Sequence, residues 1–535
     1  MKKRTQAVIA LILVLCLTLS GCSGVDFGGY FEQMFSLLLG TYISAFDSME
    51  YVRPDMQELE AIVDDCCQRA EQAKNLEELV AIIYEAYAPL DQFATAYALA
   101  NIHYSIDLTD TYWGEEYEFC SQQAAIAQAA LDRFYRVLAK TPFLETLEGP
   151  DYFGAGFFDD YQGDSIYDQT FTELLTREAE LESQYYTLYS DLAETDPDGF
   201  AQQASQLMVE LVTVRQEMAT YLGYESYPEF AYDFYYDRDY TCQQTTAYLA
   251  DIRVELVPLY LQMVTEGLDI TLNTSTESET LAYVREMAYN MGGIMEEAYD
   301  QMVKNGLYDV GPGINKFNAS FEIYISNYNA PFIFMNPTMS ERDQLTLAHE
   351  FGHFCCDYAS YGSGAGVDVS EVFSQGMEYL SLCYVQGNGT LERLKMADSL
   401  SVFVEQAAYA SFEQQLYGLT GEALTAENIQ ALFGQVSAAY GLDSWGLQGT
   451  DFVQITHFYI SPMYVISYVV SNDVAMQMYE MEQTEAGSGL ACLEGNLTTL
   501  HSGIVAFAQE AGLVSPFAPS RITQVKQILQ AVLDK

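Results

Sequence analysis

Basic residues are scarce in this chain of 535 residues: 22 Lys and Arg stand against 76 Asp and Glu, a formal net charge of −54. A protein of that sign repels phosphate backbones, so no nucleic-acid partner is expected, while neutral or basic ligands are favoured. Histidine is scarcer still, with five in the whole chain, so two of them at a chemically meaningful spacing carry weight. No Pro/Gly/Ser-rich linker, low-complexity tract or fixed-period repeat marks a domain boundary. The ten cysteines include no CxxC spacing, and four of them form the adjacent pairs Cys66-Cys67 and Cys355-Cys356. Neither a disulfide framework nor a cysteine zinc site is expected from that pattern, and buried free thiols are the default.

What is present describes a large globular protein. The chain is 50% apolar and 18% charged, enough to bury a core and too weakly charged for disorder. One large unit, or two lobes, is expected. Lys2, Lys3 and Arg4 precede an apolar run from Ala7 to Leu19, which has the make-up of an export signal and is too short to span a bilayer. The run ends in Leu19-Ser20-Gly21-Cys22, similar to a bacterial lipobox, in which the cysteine is lipidated and becomes the new N-terminus. Residues 1–21 are thus read as a lipoprotein signal peptide and 22–33 as a lipidated tether, giving an exported, membrane-anchored protein of the cell envelope. Two acyl chains suffice for stable attachment. Loss of the three cations would take the net charge to about −57.

From about Met34 to Val303 the apolar residues recur at three and four spacing, as in Leu59–Ala73 and Phe171–Leu192, which predicts successive amphipathic helices. Strand signals are scarce, the clearest at Phe321–Ile325 and Phe332–Met335, separated by turn-forming residues and read as a hairpin. Helical pattern resumes at Ser340 and runs almost to Lys535. The fold class is mainly α with one small sheet, divided into an N-terminal helical region (34–210) and a catalytic region (211–535).

His349-Glu350-Phe351-Gly352-His353 fits HExxH, and Ser340 with Asp343 supplies a helix start ahead of it. Two imidazoles four apart lie on one helical face and can grip one zinc ion, with Glu350 within reach of a water held beside it. A catalytic zinc needs a third ligand. The metzincin continuation fails, because Cys356 and Ala359 occupy its Gly and His positions. A carboxylate on the next helix is the remaining common solution: after the glycine-rich break at 362–366, Asp368 or Ser370 can cap a helix that carries Glu371, Ser374, Gln375 and Glu378 on one face. Glu371 is the expected third ligand. Glu378, two turns on, is placed to orient a ligand histidine.

These residues resemble the oligoendopeptidase F and thimet oligopeptidase group of zinc metallopeptidases. The similarity is carried by Ala330-Pro331-Phe332-Ile333, Thr346 to His353, Ser370 to Glu378 and Ile455-Thr456-His457-Phe458-Tyr459 with the tyrosines that follow. Upstream, Arg215 to Ala219, Leu222-Gly223-Tyr224 and Tyr236 to Thr241 also resemble that group. The resemblance implies one zinc on His349, His353 and Glu371, Glu350 as general base and acid, and His457 with Tyr464 and Tyr468 at the oxyanion. Tyr459 competes with those tyrosines. Ser461-Pro462 reads as a helix start, which puts His457 on the preceding turn. The family fold implies a helical body with a deep substrate channel, in which the strand near Phe332 would offer an open edge to short peptides. The sequence departs from the group's usual pattern in having only 17 residues between His353 and Glu371. Two other readings are an aminopeptidase of the related HExxH-plus-glutamate type, for which a Gly-x-Met-Glu-Asn strand is missing, and a lipoprotein that binds peptides without cutting them. His103 and His501 receive no role.

Overall fold

Short polar side chains start the helices that make up most of the chain. Asp55 accepts from the amides of Gln57 and Glu58 ahead of Met56–Ala70, Asn75 accepts from Glu78 N at 2.9 Å ahead of Leu76–Ile106, and Thr276 and Glu279 bond reciprocally at the start of Glu277–Met291. Each satisfies amides that the first helical turn leaves without a partner. The structure, a computed structural model, describes residues 43–149, 152–154, 156–163, 165–193, 195–267, 270–362, 365–387, 389–498 and 503–534. The expected signal peptide 1–21, Cys22, the tether 22–33 and His501 lie outside the described residues. Among the described residues no helix is long and apolar enough to cross a membrane.

The first of two compact units comprises the described residues of Met1–Asp168, Ser275–Ala365 and Glu494–Leu500. Its helices Met56–Ala70, Leu76–Ile106 and Thr111–Leu138 pack on one another. The hairpin expected from sequence is present: β2 (Ser320–Ile325) and β3 (Ala330–Met335) pair antiparallel, Ser320 opposite Met335 and Ile325 opposite Ala330. A third strand, β1 (Tyr308–Asp309), joins parallel at Ile333 and Phe334, so β3 is the central strand of the order β1-β3-β2. β1 reaches only Ile333 and Phe334, so among the described residues no strand pairs with residues 330–332 on that side, and the expected open edge near Phe332 is narrowed to that end of β3. β1 was illegible because two residues carry no periodicity. Every residue of β3 is buried, and helix α1 (Arg342–Ser360) packs against β2 and β3.

The second unit comprises the described residues of Gln169–Thr274, Gly366–Leu493 and His501–Lys535. The Gln169–Leu192 and Pro197–Tyr221 helices pack as a pair. At the centre, α2 (Val367–Tyr384) lies along α4 (Ile466–Thr484), and α3 (Gly389–Leu416) packs on α4. Small buried residues on the facing sides, Ser374, Gly376, Ser467 and Ser471, let α2 and α4 lie close. A Cβ at Gly376 would stand 3.4 Å from Met478 Sδ of α4. Gln375 donates to Ser471 Oγ at 2.8 Å across that interface.

Candidate active site

Asp343 opens the HExxH helix, though not through Ser340 as the cap. Its carboxylate accepts from Thr338 N at 2.9 Å and Ser340 N at 3.1 Å, and the helix begins at Arg342. The apolar face of α1 (Leu345, Leu347, Ala348, Phe351, Phe354, Cys355) is buried, which fixes the rotation of the helix and therefore where its histidines point. The rings of His349 and His353 stand 5.1 Å apart, centre to centre. His353 is buried, and that burial, with His349 beside it, holds its pKa well below the ordinary histidine value. A neutral imidazole is the form that ligates metal.

Glu350 is also buried, and a carboxylate that sequence reasoning missed, Glu322, lies within electrostatic reach of it and of Asp357. Glu322 of β2 has its pKa pushed well above the ordinary value by burial, and further by Asp357 and Glu350. Burial and neighbouring like charge both favour the protonated form of Glu322. Alternation within β2 hid it, since that pattern groups Glu322 with Ser320 and Tyr324 on the face away from Phe321, Ile323 and Ile325.

In the second unit, α2 begins after Gly366, with neither Asp368 nor Ser370 as its side-chain cap. Asp368 turns instead to Arg238, 3.5 Å away. Glu371, one turn on, is fully buried and held at both oxygens: Tyr464 donates to Oε1 at 2.8 Å and Ser374 to Oε2 at 3.1 Å. Glu378 accepts from Lys395 Nζ at 2.8 Å.

His457 opens a one-turn helix that ends at Ile460. Its Nε2 lies 3.3 Å from the Tyr468 hydroxyl, and burial lowers its pKa to about 4, so the ring is neutral at ordinary pH. The expected helix start at Ser461-Pro462 is corrected: α4 begins at Ile466, and Tyr464 stands in the loop before it. Captured carbonyls account for the delay. Tyr236 donates to Pro462 O at 2.8 Å and Arg238 to Met463 O at 2.9 Å, Glu413 accepts from Met463 N at 2.6 Å, and Met463 adopts φ 66. Just upstream, fully buried Arg215 donates to Phe458 O at 2.9 Å and to Tyr459 O, while Glu178 and Glu182 balance its charge. Tyr459 is removed from the competition: its hydroxyl donates to Ala204 O at 3.0 Å and its ring stacks on Tyr185 at 3.8 Å. His103 stacks on Trp113, centroids 4.2 Å apart.

Among the described residues, His349, His353 and Glu371 could together hold a metal ion, each offering one ligand atom, and these atoms all lie within 4.8 Å of one another. Two imidazoles and one carboxylate are a donor set suited to catalytic zinc, which takes three protein ligands and keeps one position open. The residues present fit that ion.

The sequence profile of the Peptidase M3 N-terminal domain matches residues 46–164. No curated protein matches the chain. Among solved structures, PZ peptidase A with an inhibitor is similar at TM-score 0.81 and 19% identity, covering 91% of this chain and 99% of that one. A Bacillus anthracis str. Ames protein provisionally called oligoendopeptidase F is similar at TM-score 0.78 and 20% identity, covering 92% and 99%. Oligoendopeptidase-F from Enterococcus faecium is similar at TM-score 0.51 and 13% identity, covering 89% and 97%. These likenesses show a shared, mainly α fold.

Proposed function

The M3 amino-terminal domain and the oligoendopeptidase fold support the M3 peptidase family for this chain, and from that premise we propose a zinc-dependent endopeptidase that hydrolyses short peptides outside the cytoplasm. The observation that carries the proposal is the convergence of His349, His353 and Glu371 ligand atoms within 4.8 Å, with Glu350 on the same helix as both histidines. Zinc bound by these three would lower the pKa of a water and polarise the scissile carbonyl. Glu350 accepts the proton of the attacking water and passes it to the leaving amine. In this reading His457 and Tyr468 donate to the developing oxyanion. Tyr464, whose hydroxyl is spent on Glu371, orients that ligand first. Glu378, which accepts from Lys395, is given the outer role of orienting a ligand histidine. Export and lipidation at Cys22 belong to this proposal on the strength of the leader sequence.

A peptide blocked at both ends and carrying an internal fluorophore–quencher pair tests the reaction class. Cleavage at an internal bond, lost with a chelator and restored by zinc, is expected. Strict dependence on a free N-terminus would favour the aminopeptidase reading, and zinc-independent binding without turnover the peptide-capturing lipoprotein.

A further inference from the structure

Arg238 has no part in the chemistry proposed above, yet its guanidinium reaches the neighbours of both partners in the Tyr464–Glu371 hydrogen bond. On one side Nε faces Asp368 Oδ1 at 3.5 Å. Asp368 stands one turn before Glu371 on α2 and on the same face. On the other side, Nη1 donates to the carbonyl of Met463, the residue before Tyr464, at 2.9 Å, and Nη2 donates to Ser467 Oγ at 2.8 Å. The guanidinium carbon is 4.4 Å from the ring centres of both Tyr232 and Tyr236, and the side chain is 0% exposed.

Each feature restricts the next. The two tyrosine rings hold the guanidinium plane, and the plane fixes the directions of its N–H donors. Those donors hold the loop in which Met463 takes φ 66, a conformation that a non-glycine residue keeps only when its surroundings over-determine it. Arg215 and Glu413 grip the same stretch of chain, and Arg238 joins that stretch to Asp368 of α2.

We propose that Arg238 is a positioning residue for the hydrolytic centre: it clamps the first turn of α2 to the 461–465 loop and the first turn of α4, and thereby sets the Tyr464–Glu371 contact. The inference rests on the zinc peptidase reading and deepens it. Lysine would preserve the charge and fail here, because one ammonium cannot serve Met463 O, Ser467 Oγ and Asp368 in their separate directions.

The test is a double-mutant cycle on the full chain. Arg238→Lys and Ser467→Ala are each made alone and in a Tyr464→Phe background, with kcat, KM, zinc content and thermal midpoint measured on the blocked quenched peptide. Arg238→Lys alone is expected to lower kcat at least about 10-fold with KM within about 3-fold. In the Tyr464→Phe background the same change should cost less than about 3-fold, because the contact through which it acts is already gone. Ser467→Ala removes one arm and should show the same non-additivity with a smaller loss, which decides the matter if Arg238→Lys does not fold. Equal losses in both backgrounds, or a lowered thermal midpoint with unchanged kcat, would overturn the role of Arg238. Wild-type protein that takes up no zinc and cleaves no peptide would overturn the peptidase reading instead.

Discussion

Tyr468 and Tyr464 are four residues apart and chemically identical, but their hydroxyls have different partners. That of Tyr464 is buried on Glu371 at 2.8 Å, whereas that of half-buried Tyr468 lies 3.3 Å from His457 Nε2. The second is the better placed to turn toward a substrate oxygen. Removing one oxyanion donor typically costs about 10²–10³ in kcat. Tyr468→Phe is therefore expected to lower kcat by about that factor with little change in KM, read from steady-state kinetics on the blocked peptide; an unchanged kcat would take Tyr468 out of the oxyanion site. Sequence reasoning could name both tyrosines but not divide their roles, because the division depends on which hydroxyl meets the carboxylate of α2. It also missed Arg238 and Arg215 as clamps, although both lie in segments that carry the family resemblance. Their targets include the carbonyls of Phe458, Tyr459 and Met463, and a carbonyl leaves no mark in a sequence.

At the scale of elements, the most legible features were those with strong local signals: the HExxH helix, the hairpin and the long amphipathic helices. The 461–465 loop was misread as a helix start because Ser-Pro is a common helix opening, while tertiary bonds to Met463 and Pro462 override it here. Glu413 on α3 is one of those bonds. Burial pushes its pKa up to about 8, with the Met463 amide, Arg215 and Arg238 pulling the other way. The native state thus holds a proton that the unfolded chain, with an ordinary glutamate pKa, releases, and Glu413 lowers stability as pH rises from about 4.5 to about 8. Glu413→Gln keeps an acceptor for the Met463 amide and does not titrate. Its thermal midpoint relative to wild type should climb across that window, with a gain of up to several kcal/mol at about 1.4 kcal/mol per unit. A difference that stays flat between pH 5 and 8.5 would show that Glu413 is ionised in the fold already.

At the scale of the whole molecule, the net charge of −54 sets long-range behaviour and leaves the chemistry untouched. Such a field draws cationic ligands in at low ionic strength and is screened within about 10 Å at 0.1 M salt. For Lys/Arg-rich peptides kcat/KM should fall steeply between about 20 and 300 mM salt, and for neutral peptides of the same length it should hardly move. Equal salt dependence for both would place the charge away from the route of substrate approach. Fold class was readable from composition and periodicity, whereas the bounds of the two units were not. Each is assembled from segments far apart in sequence, and no linker composition marks where the chain passes from one to the other.

The central claim is that His349, His353 and Glu371 hold zinc while Glu350 moves the proton, and metal content measured together with turnover in Glu350→Gln tests it most directly. Glutamine keeps the size of the side chain and removes its basicity, so the variant should retain about one zinc per chain. Its kcat on the blocked peptide should fall about 10²–10⁴-fold, the usual contribution of a general base. A variant that binds zinc and still turns over at the wild-type rate would contradict the account.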